Sequence, residues 1–376
     1  MLIEVHMLKN YAPSNLNRDE TGSPKDCIFG GIPRGRISSQ CQKRNLRLSS
    51  FLQDSIDSEH WGLRTRKLAE LVTEELRKEK VAEEYLPIIK KKLTGFGNKD
   101  GKESKDELTA QIMFFSPADI KAVTEKILEL IAEKKTLNEF EKIKAKDLQS
   151  SLKDAGRPIT VDIALFGRMV TSEAFRDVEA SMQMAHAIST NRLEREFDYY
   201  TAMDDLLQKG EETGASMIDD VEFNSNCYYH YFNLDVDQLV DNLKGVPDIP
   251  DLIRKIIPAM VKAFAFVNPS GKQNSFAAHA LPSLICVEVK EKKIPVSYVN
   301  AFVSPVQANR NRDLVAASVD RLAQEIDKID RKFQLDIKNR WWFTTQEEIK
   351  APDKCKAIET LNELISDLEQ VLKGAV

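Results

Sequence analysis

The alternation of apolar and polar side chains along the chain predicts strands separated by helices. Residues 2–8 alternate between apolar and polar positions, which is typical of a half-buried strand. Runs rich in aliphatic, aromatic and β-branched residues predict further strands at residues 161–166, 182–188, 223–234 and 283–289. Because helices separate these strands and neighbouring strands are expected to be antiparallel, the pattern predicts an α+β sheet of the ferredoxin or RNA-recognition-motif type.

A loop over residues 10–33 is predicted to lead into a helix that runs from Ser38 to about residue 54. Ser38 is a favourable N-cap because its hydroxyl can accept a hydrogen bond from a free helical N–H. One face of this helix is polar and basic, and it carries Gln40, Lys43, Arg44 and Arg47. The other face is predicted to pack on the core, and it carries Cys41, Leu48 and Leu52.

Residues 59–155 have a strongly helical pattern and are interpreted as a helical insertion. Ser116 and Asp119 have the spacing of a capping box, with Pro117 at the first helical position. The apolar stripe of that helix is Ile120, Val123, Ile127 and Leu130. A helix over residues 250–266 and a helical C-terminal third complete the prediction.

The composition is that of a soluble globular protein with more than one module, because 376 residues exceed the usual size of a single domain. Apolar residues make up 42% and charged residues 30%, which excludes a disordered or fibrous chain. The five cysteines are scattered and form no CxxC pair, so neither a zinc ribbon nor a disulfide framework is expected. Without a membrane-length apolar stretch or a secretion signal, the sequence predicts a cytoplasmic protein with no membrane contact.

Charge is unevenly distributed, and its distribution matters more than the net charge of −5. Residues 27–53 contain no Asp or Glu but five Arg and Lys residues. Hydrogen-bond donors concentrated at the start of a helix are typical of a surface that binds phosphate. A solvated basic helix face is the alternative that the residues alone leave open.

The signs of catalysis or metal binding are weak. No phosphate loop, zinc helix or nucleophile elbow is present, and the five His residues never pair at metal-ligand spacing. Asp19, Glu20 and Asp26 could hold Mg²⁺, but exposed loop carboxylates are usually only solvated. His186 falls in a predicted strand, and a lone His in a strand is more often a hydrogen-bonded sheet residue than a general base. No metal and no cofactor is therefore predicted.

Four segments carry a resemblance to a known family. They are PSNLNRDETGSPKDCIFGGIPRGRISSQCQKRNLR at residues 13–47, VDIALFGRMVTS at 161–172, MAHAISTNRLEREFDYYTAMDDL at 184–206 and GKQNSFAAHALPSLICVEV at 271–289. In the same order they resemble blocks of the CasC/Cse4 family, the CRISPR RNA-binding backbone subunit of the type I-E Cascade surveillance complex. The resemblance extends to about residue 303, and the helical insertion and the later residues are more divergent.

The resemblance implies a right-hand-shaped protein with an RNA-recognition-motif-like palm, helical fingers and an extended thumb hairpin. The implied boundaries are residues 1–54, 159–190 and 223–376 for the palm with C-terminal helices, 55–158 for the fingers and 191–222 for the thumb. Copies of such a subunit line up along CRISPR RNA, hold its phosphate backbone and kink it at regular intervals, so that the guide can pair with target DNA. The other implied partners are the large, small, five-prime-end and guide-processing subunits of Cascade.

The resemblance also assigns site residues, each carried over from a matching motif position. The implied RNA contacts are Arg18, Ser38, Gln40, Lys43, Arg47, Arg168, Met169, Tyr199, Tyr200, Thr201, Met203, Lys272 and Gln273. Met169 is implied to be an apolar wedge beside a displaced base. The family commonly has a Trp-Phe pair at the two Tyr positions, which leaves open which Tyr ring faces the base. Candidate contacts to duplex DNA are Lys142, Lys144 and Lys146, although lysines are common on any helix exterior.

The implied thumb, residues 191–222, is strongly acidic, with ten acids against two Arg and one Lys. Acids repel phosphate, so we expect this segment to contact RNA through its aromatic rings, Thr201 and the backbone. Core packing is the open alternative for both Tyr rings. Its acids would face solvent or the basic residues 27–53 of the next subunit.

The resemblance implies a structural protein that is not an enzyme. The alternative is a ribonuclease on the same fold. Such an enzyme would process guide precursors with His186, or cut target RNA with a metal held by Asp19 or Asp26.

Overall fold

The computed structural model describes residues 1–104, 106–134, 136–152, 156–202 and 217–374. The chain divides into two compact units. The sheet unit consists of Met1–Ser55, Gln183–Asp235 and Arg254–Val376, and the helical unit consists of Ile56–Met182 and Val236–Ile253.

The described residues form strands and helices that alternate along the chain. The strands are β1 (Leu2–Ser14), β2 (Asp26–Phe29), β3 (Ile32–Ile37), β4 (Leu63–Thr65), β5 (Met113–Phe115), β6 (Met182–Met184), β7 (Ala187–Ser189), β8 (Glu196–Ala202), β9 (Met217–Asp235), β10 (Leu284–Lys290), β11 (Ile337–Thr344) and β12 (Lys356–Ile358). The α-helices are α1 (Ser39–Arg47), α2 (Ser50–Gln53), α3 (Leu68–Lys78), α4 (Leu86–Thr94), α5 (Pro117–Glu133), α6 (Leu137–Glu141), α7 (Ala145–Ser151), α8 (Val161–Phe166), α9 (Val236–Asn242), α10 (Ile249–Phe266), α11 (Gln273–Phe276), α12 (Leu314–Phe333) and α13 (Leu361–Lys373). Short 3-10 helices cover Ser58–His60, Glu83–Tyr85 and Tyr298–Phe302.

The sheet unit is organised around one large sheet in the order β12-β11-β10-β1-β9-β7-β3-β2, with β8 also paired to β9. Neighbours along this order are antiparallel except β11 and β12, which are parallel. The central order β10-β1-β9-β7, with α10 between β9 and β10, is that of the β-α-β-β-α-β ferredoxin-like fold. The predicted α+β fold is therefore confirmed.

Strand β1 lies at the centre of the sheet and is buried on both faces, so the prediction of a half-buried strand is wrong. The alternation is real, but both sets of side chains are covered by helices. Leu8 packs with Val319 and Leu322 of α12 on one face. On the other face, Lys9 Nζ donates hydrogen bonds to the carbonyl oxygens of Ala265 (2.9 Å) and Val267 (3.0 Å), at the C-terminal end of α10.

Buried polar positions on this sheet form a charge network. Glu288 of β10 accepts hydrogen bonds from Arg340 Nε and from the Tyr298 hydroxyl, both at 2.8 Å. Lys290 Nζ lies 3.0 Å from the second carboxylate oxygen of Glu288 and also pairs with Glu4. We call Glu4, Glu288, Lys290 and Arg340 the buried charge network. Its opposite charges compensate each other in a region that water does not reach.

The strand predicted at residues 161–166 is wrong, because this segment is helix α8. Its residues Val161 to Leu165 are all fully buried, and a short buried apolar run cannot be assigned to strand or helix from periodicity alone. The Asp162 carboxylate accepts a hydrogen bond from the backbone N–H of Ile163 at 3.1 Å, within the first turn of the helix. Gly167, at a φ of +80°, ends it.

Two other predicted regions also differ from the structure. The loop predicted at residues 10–33 is shorter, because β1 extends to Ser14 and β2 and β3 form a hairpin. Gly30 and Gly31 make its two-residue turn with φ values of +60° and +78°, a conformation that favours glycine. The C-terminal third is not entirely helical, since β11 and β12 extend the sheet.

The predicted basic helix is divided into α1 and α2, and its buried positions differ from the prediction. Gln42 and Leu46 are buried in α1, whereas Leu48 follows the helix and is 47% exposed. Leu48 is therefore not a core residue, while Leu52 of α2 is fully buried as predicted.

The helical unit confirms the predicted capping box at the start of α5. Asp119 N–H donates to Ser116 Oγ at 3.1 Å, and Ser116 N–H donates to Asp119 Oδ2 at 2.9 Å. Val123 and Ile127 of the predicted apolar stripe are fully buried in the core of this unit. The small sheet of β4 and β5 is an addition to the helical pattern.

Candidate nucleic-acid interface

Three chain segments that are far apart in sequence meet in one cleft of the sheet unit. The cleft has a volume of about 350 Å³. It is lined by Arg18 from the loop between β1 and β2, which we call the first loop, by Tyr200 from β8 and by Lys272 from the turn before α11. The rest of its lining is Thr21, Gly22, Ser23, Phe197, Asp220, Val221 and Glu222. We call this the aromatic–basic cleft. Two cations beside two rings can pair with phosphate and stack on bases.

The first loop is held against β9 by its own polar side chains. Asn15 Nδ2 donates to the carbonyl oxygens of Gly22 (2.9 Å) and Glu222 (3.0 Å). Asp19 Oδ1 accepts hydrogen bonds from the hydroxyl (2.8 Å) and the backbone N–H (2.9 Å) of Thr21, and these bonds lower the pKa of Asp19. The Asp19 carboxylate therefore organises the turn of the loop that carries the cation Arg18.

A close backbone approach brings Lys272 to the same cleft. A Cβ atom on Gly271 would lie 2.3 Å from the carbonyl oxygen of Leu16, so only glycine permits this contact. Lys272 follows with a φ of +48°, in the left-handed region. Gln273 braces the turn, because its Nε2 donates to the carbonyl oxygens of Pro269 (2.8 Å) and Ala278 (3.3 Å).

The two tyrosines of β8 occupy different environments. Among the described residues, Tyr200 lines the aromatic–basic cleft and Tyr199 does not. Tyr199 is 64% exposed and Tyr200 is 39% exposed. The second ring of the cleft is Phe197, which sequence reasoning missed although it stands as an exposed aromatic in an acidic strand. Of the other assigned residues here, Thr201 pairs with Ile218 in the ladder of β8 and β9, and Met203 lies outside the described residues.

Helix α1 carries the predicted polar and basic side chains. Ser38 caps it as predicted, because its Oγ accepts a hydrogen bond from the Cys41 N–H at 3.2 Å. Gln40 is exposed, whereas Lys43 and Arg47 are half-buried. Burial lowers the pKa of Lys43, and a phosphate beside the ammonium group would raise that pKa.

His186 is part of the start of the same helix. Its Nδ1 accepts a hydrogen bond from the Ser39 N–H at 3.0 Å. Burial, followed by the charges of Arg36 and Lys25, lowers the pKa of His186. His186 lies between β6 and β7 and is not itself a strand residue, but a neutral ring that accepts through Nδ1 fits a hydrogen-bonded structural residue, as expected, better than a general base.

Arg34 corrects the expectation that residues 27–53 form one anion-facing surface. Its side chain is completely buried and donates hydrogen bonds to four carbonyl oxygens, those of Ser189 (2.8 Å), Thr190 (3.1 Å), Phe302 (2.7 Å) and Val303 (3.0 Å). This arginine ties β3 to the end of β7 and to the 3-10 helix at Tyr298–Phe302. It therefore stabilises the sheet unit.

In the helical unit, the neighbours Arg168 and Met169 have opposite environments. Arg168 is 4% exposed and its Nη1 lies 2.6 Å from Asp119 Oδ2, so the structure places this assigned RNA contact inside the unit. Met169 is 91% exposed. A single exposed apolar side chain is common at a protein surface, so this exposure leaves Met169 accessible without by itself identifying a contact.

The predicted lysines of the helical unit are all exposed. Lys142, Lys144 and Lys146 lie between the end of α6 and the first turn of α7. Lys92 is buried beneath this segment, and its Nζ donates to the carbonyl oxygens of Glu141 (2.8 Å) and Ile143 (2.5 Å). No carboxylate of the described residues pairs with the three exposed lysines, whereas surface lysines such as Lys67 do form such pairs.

Of the acids that were considered as metal ligands, Asp19 and Asp26 are engaged within the chain. Asp26 pairs with Arg195, which directly precedes β8. Nε of the same arginine lies 3.3 Å from Oε1 of Glu222. In the described part of the chain, no group of three or more His, Cys, Asp or Glu side chains has the geometry to hold a metal. Among the helices of those residues, none combines the length and the apolar character that a membrane span needs.

The structure is that of an α+β protein with a ferredoxin-like sheet and a cleft in which cations lie beside aromatic rings. The family model described as CT1975-like protein matches residues 3–368. The chain belongs to this family, and the resemblance to CasC-type subunits seen in the four sequence segments is confirmed.

Chains of solved structures share the fold. One, from a CRISPR RNA-guided surveillance complex described as pre-nicking, has a TM-score of 0.79 and 23% identity, over 99% of this chain and 100% of that chain. Another, from a CRISPR RNA-guided surveillance complex, has a TM-score of 0.62 and 20% identity, over 99% of each chain. A comparison with curated proteins finds no match.

Proposed function

We propose that this protein is a backbone subunit of a type I-E CRISPR Cascade complex, and that copies of it assemble along CRISPR RNA. The observation that carries the proposal is the aromatic–basic cleft. Arg18, Tyr200 and Lys272 were assigned from separate sequence motifs, and all three line the same cleft. Convergence of this kind is expected of a binding site and is not required by packing alone.

The cleft suits a single strand of RNA. Arg18 and Lys272 supply cations for phosphates, and the rings of Tyr200 and Phe197 supply surfaces for stacking without sequence preference. Helix α1 adds the amide of Gln40 and the charges of Lys43 and Arg47, which would hold the RNA backbone. Recognition through phosphates leaves the guide bases available for pairing with DNA.

The remaining assignments belong to the same proposal. Residues 1–54, 159–190 and 223–376 act as palm, 55–158 as fingers and 191–222 as thumb. Met169 acts as the wedge beside a displaced base, and Lys142, Lys144 and Lys146 contact duplex DNA. The proposed partners are CRISPR RNA, target DNA through the guide, further copies of the chain and the other Cascade subunits.

The role that we propose is structural and takes place in the cytoplasm. The family match and the engagement of His186, Asp19 and Asp26 in internal hydrogen bonds and ion pairs support it. A ribonuclease on the same fold is the competing function. Cleavage of guide precursor or of complementary RNA, with or without Mg²⁺, that is lost in His186→Ala or Asp26→Ala would establish that function instead.

The test of guide binding is the salt dependence of affinity for single-stranded CRISPR RNA. Removing two phosphate contacts with the double variant Lys43→Ala, Arg47→Ala should weaken binding to any RNA sequence and flatten the log–log salt slope by about 1.4, at about 0.7 per contact.

The double variant Lys67→Ala, Lys78→Ala is a matched control, because it removes the same charge from lysines that are paired with Glu70 and Glu75. It should leave the slope unchanged. An equal slope in both double variants would show that Lys43 and Arg47 are only solvated helix residues. Copurification of short RNA with the wild-type protein is the independent check.

A further inference from the structure

Met169 stands at the surface between two firmly anchored segments of the helical unit. Met169 belongs to a loop of residues 168–178. The two ends of this loop, Arg168 and Val178, are joined by backbone N–H to carbonyl hydrogen bonds of 2.9 Å and 2.8 Å. On the other side of Met169, the Val170 N–H donates to Asp177 Oδ1 at 2.7 Å. The backbone on both sides of this exposed side chain is therefore fixed.

The Arg168 guanidinium connects this loop to the helical core. Nη1 donates to Asp119 Oδ2 (2.6 Å) and to the Phe114 carbonyl oxygen (3.2 Å), and Nε donates to the Arg176 carbonyl oxygen (3.0 Å). The guanidinium also lies 5.8 Å from the ring centre of Phe175, inside the loop. One side chain thus joins α5, β5 and both arms of the loop.

Asp119 is the fixed point of this arrangement. It is 1% exposed, and its Oδ2 accepts from the Ser116 N–H at 2.9 Å as part of the capping box of α5. Its Oδ1 lies 3.3 Å from Nε of Arg157, whose Nη2 donates to the Ala174 carbonyl oxygen in the same loop. The carboxylate therefore binds Arg168, at the start of the loop, and Arg157, which contacts the loop at Ala174.

We propose that Asp119 and Arg168 are positioning residues that hold Met169 at the point where it displaces a guide base. This inference rests on the wedge role of Met169 in the proposed function. A wedge must resist the stack that it opens, and a flexible thioether side chain can do so only if its backbone does not yield. Arg168, carried over as an RNA contact, acts through Met169 instead of touching the guide.

The experiment places 2-aminopurine at one guide position at a time and measures its fluorescence on the assembled protein. Unstacked positions are bright, so the wild type should give maxima at regular intervals. Met169→Ala should flatten the maxima, and Arg168→Gln and Asp119→Asn should flatten them toward the same level while guide affinity is retained. Val123→Ala, which removes buried volume from the same helix α5, is the stability control and should keep the maxima.

The decisive arm is Arg168→Gln in the Met169→Ala background. A positioning residue has no further effect there, whereas a direct RNA contact lowers guide affinity with or without Met169, and that result would overturn the inference. Arg168→Lys keeps a cation beside Asp119 but loses the bonds to the two carbonyl oxygens. It should therefore fold and reduce the difference in fluorescence between the maxima and the other guide positions. This variant tests the inference even if Asp119→Asn does not fold.

The outcomes separate this inference from the proposed function. Absence of RNA binding by the wild type would remove the function itself. A flat Met169→Ala profile beside unchanged profiles of Arg168→Gln and Asp119→Asn would remove only the positioning role. An unchanged Met169→Ala profile would remove the wedge and the positioning role together.

Discussion

The buried charge network and the aromatic–basic cleft both place cations beside acids in the sheet unit, but they use them differently. In the network, Glu288 and Lys290 are almost completely buried and each has partners within hydrogen-bond distance. In the cleft, Arg18 is exposed and Lys272 is half-buried, and both face open volume. Charge by itself therefore does not identify a binding site. We propose the cleft charges as the binding site because the fold brings them together from distant segments of the chain.

The largest effect should come from breaking the network. Glu288→Ala removes the carboxylate that Arg340, Lys290 and Tyr298 share, and Arg340 and Lys290 keep Asp330 and Glu4 as partners. The buried donors left without an acceptor should lower the free energy of unfolding by about 3 kcal/mol, since one such donor costs about 1–3 kcal/mol and more when it is charged. Urea unfolding followed by circular dichroism measures this loss. Guide affinity of the protein that remains folded should not change, because Glu288 does not line the cleft.

The matched control is the neighbouring surface acid Glu291, which lies 3.1 Å from Lys338 with both side chains exposed. Glu291→Ala should lower the free energy of unfolding by less than about 1 kcal/mol. Equal losses in the two variants would mean that burial does not distinguish the network from an ordinary surface pair.

The next effect is a pH dependence that comes from the sheet core. His230 Nδ1 lies 2.8 Å from Gln42 Oε1, and burial, with a smaller contribution from the charge of Lys9, lowers the pKa of His230 to about 3. Between pH 6.5 and 3 the unfolded chain binds a proton at this site that the folded chain does not bind. Stability is therefore lost as pH falls, by about 2 kcal/mol from this site between pH 6.5 and 5.

Replacing the ring sharpens this expectation. His230→Gln should reduce the loss of unfolding free energy between pH 6.5 and 5, and the exposed His279→Gln should leave it as in the wild type. His6, whose pKa burial also lowers to about 3, contributes with the same sign and remains in both variants. An unchanged pH slope in His230→Gln would assign the acid sensitivity to other groups.

The parts of the fold that the sequence predicted depend on local pattern. The capping box of Ser116 and Asp119 is contained within four residues, and the strands near β9 and β10 are aromatic or aliphatic runs with clear ends. Helix α8 was missed because a run buried on every side has no period to detect. Arg34 was misassigned because its partners, such as Ser189 and Phe302, lie 155 and 268 positions further along the chain.

The candidate site shows the same limit. Family motifs indicated Arg18, Tyr200 and Lys272 one by one, but their meeting depends on Gly271 lying against Leu16, which no local pattern reports. Phe197 was missed because its exposure follows from the pairing of β8 with β9. The burial of Arg168 likewise follows from its distant partner Asp119.

The last prediction concerns RNA binding and not stability, and it separates the two tyrosines of β8 by whether they line the cleft. Tyr200 lines the cleft with Arg18 and Lys272, so Tyr200→Ala should weaken guide binding by about 1–3 kcal/mol, the usual contribution of one stacked base. Tyr200→Phe keeps the ring and should bind almost as the wild type. Tyr199→Ala, outside the cleft, is the matched control and should change affinity little, although it removes the more exposed ring. Fluorescence anisotropy with a short labelled guide at fixed salt measures all three variants. If Tyr199→Ala weakens binding as much as Tyr200→Ala, then exposure and not the lining of the cleft selects the ring that contacts RNA, and the contrast between the cleft and the surrounding surface does not hold.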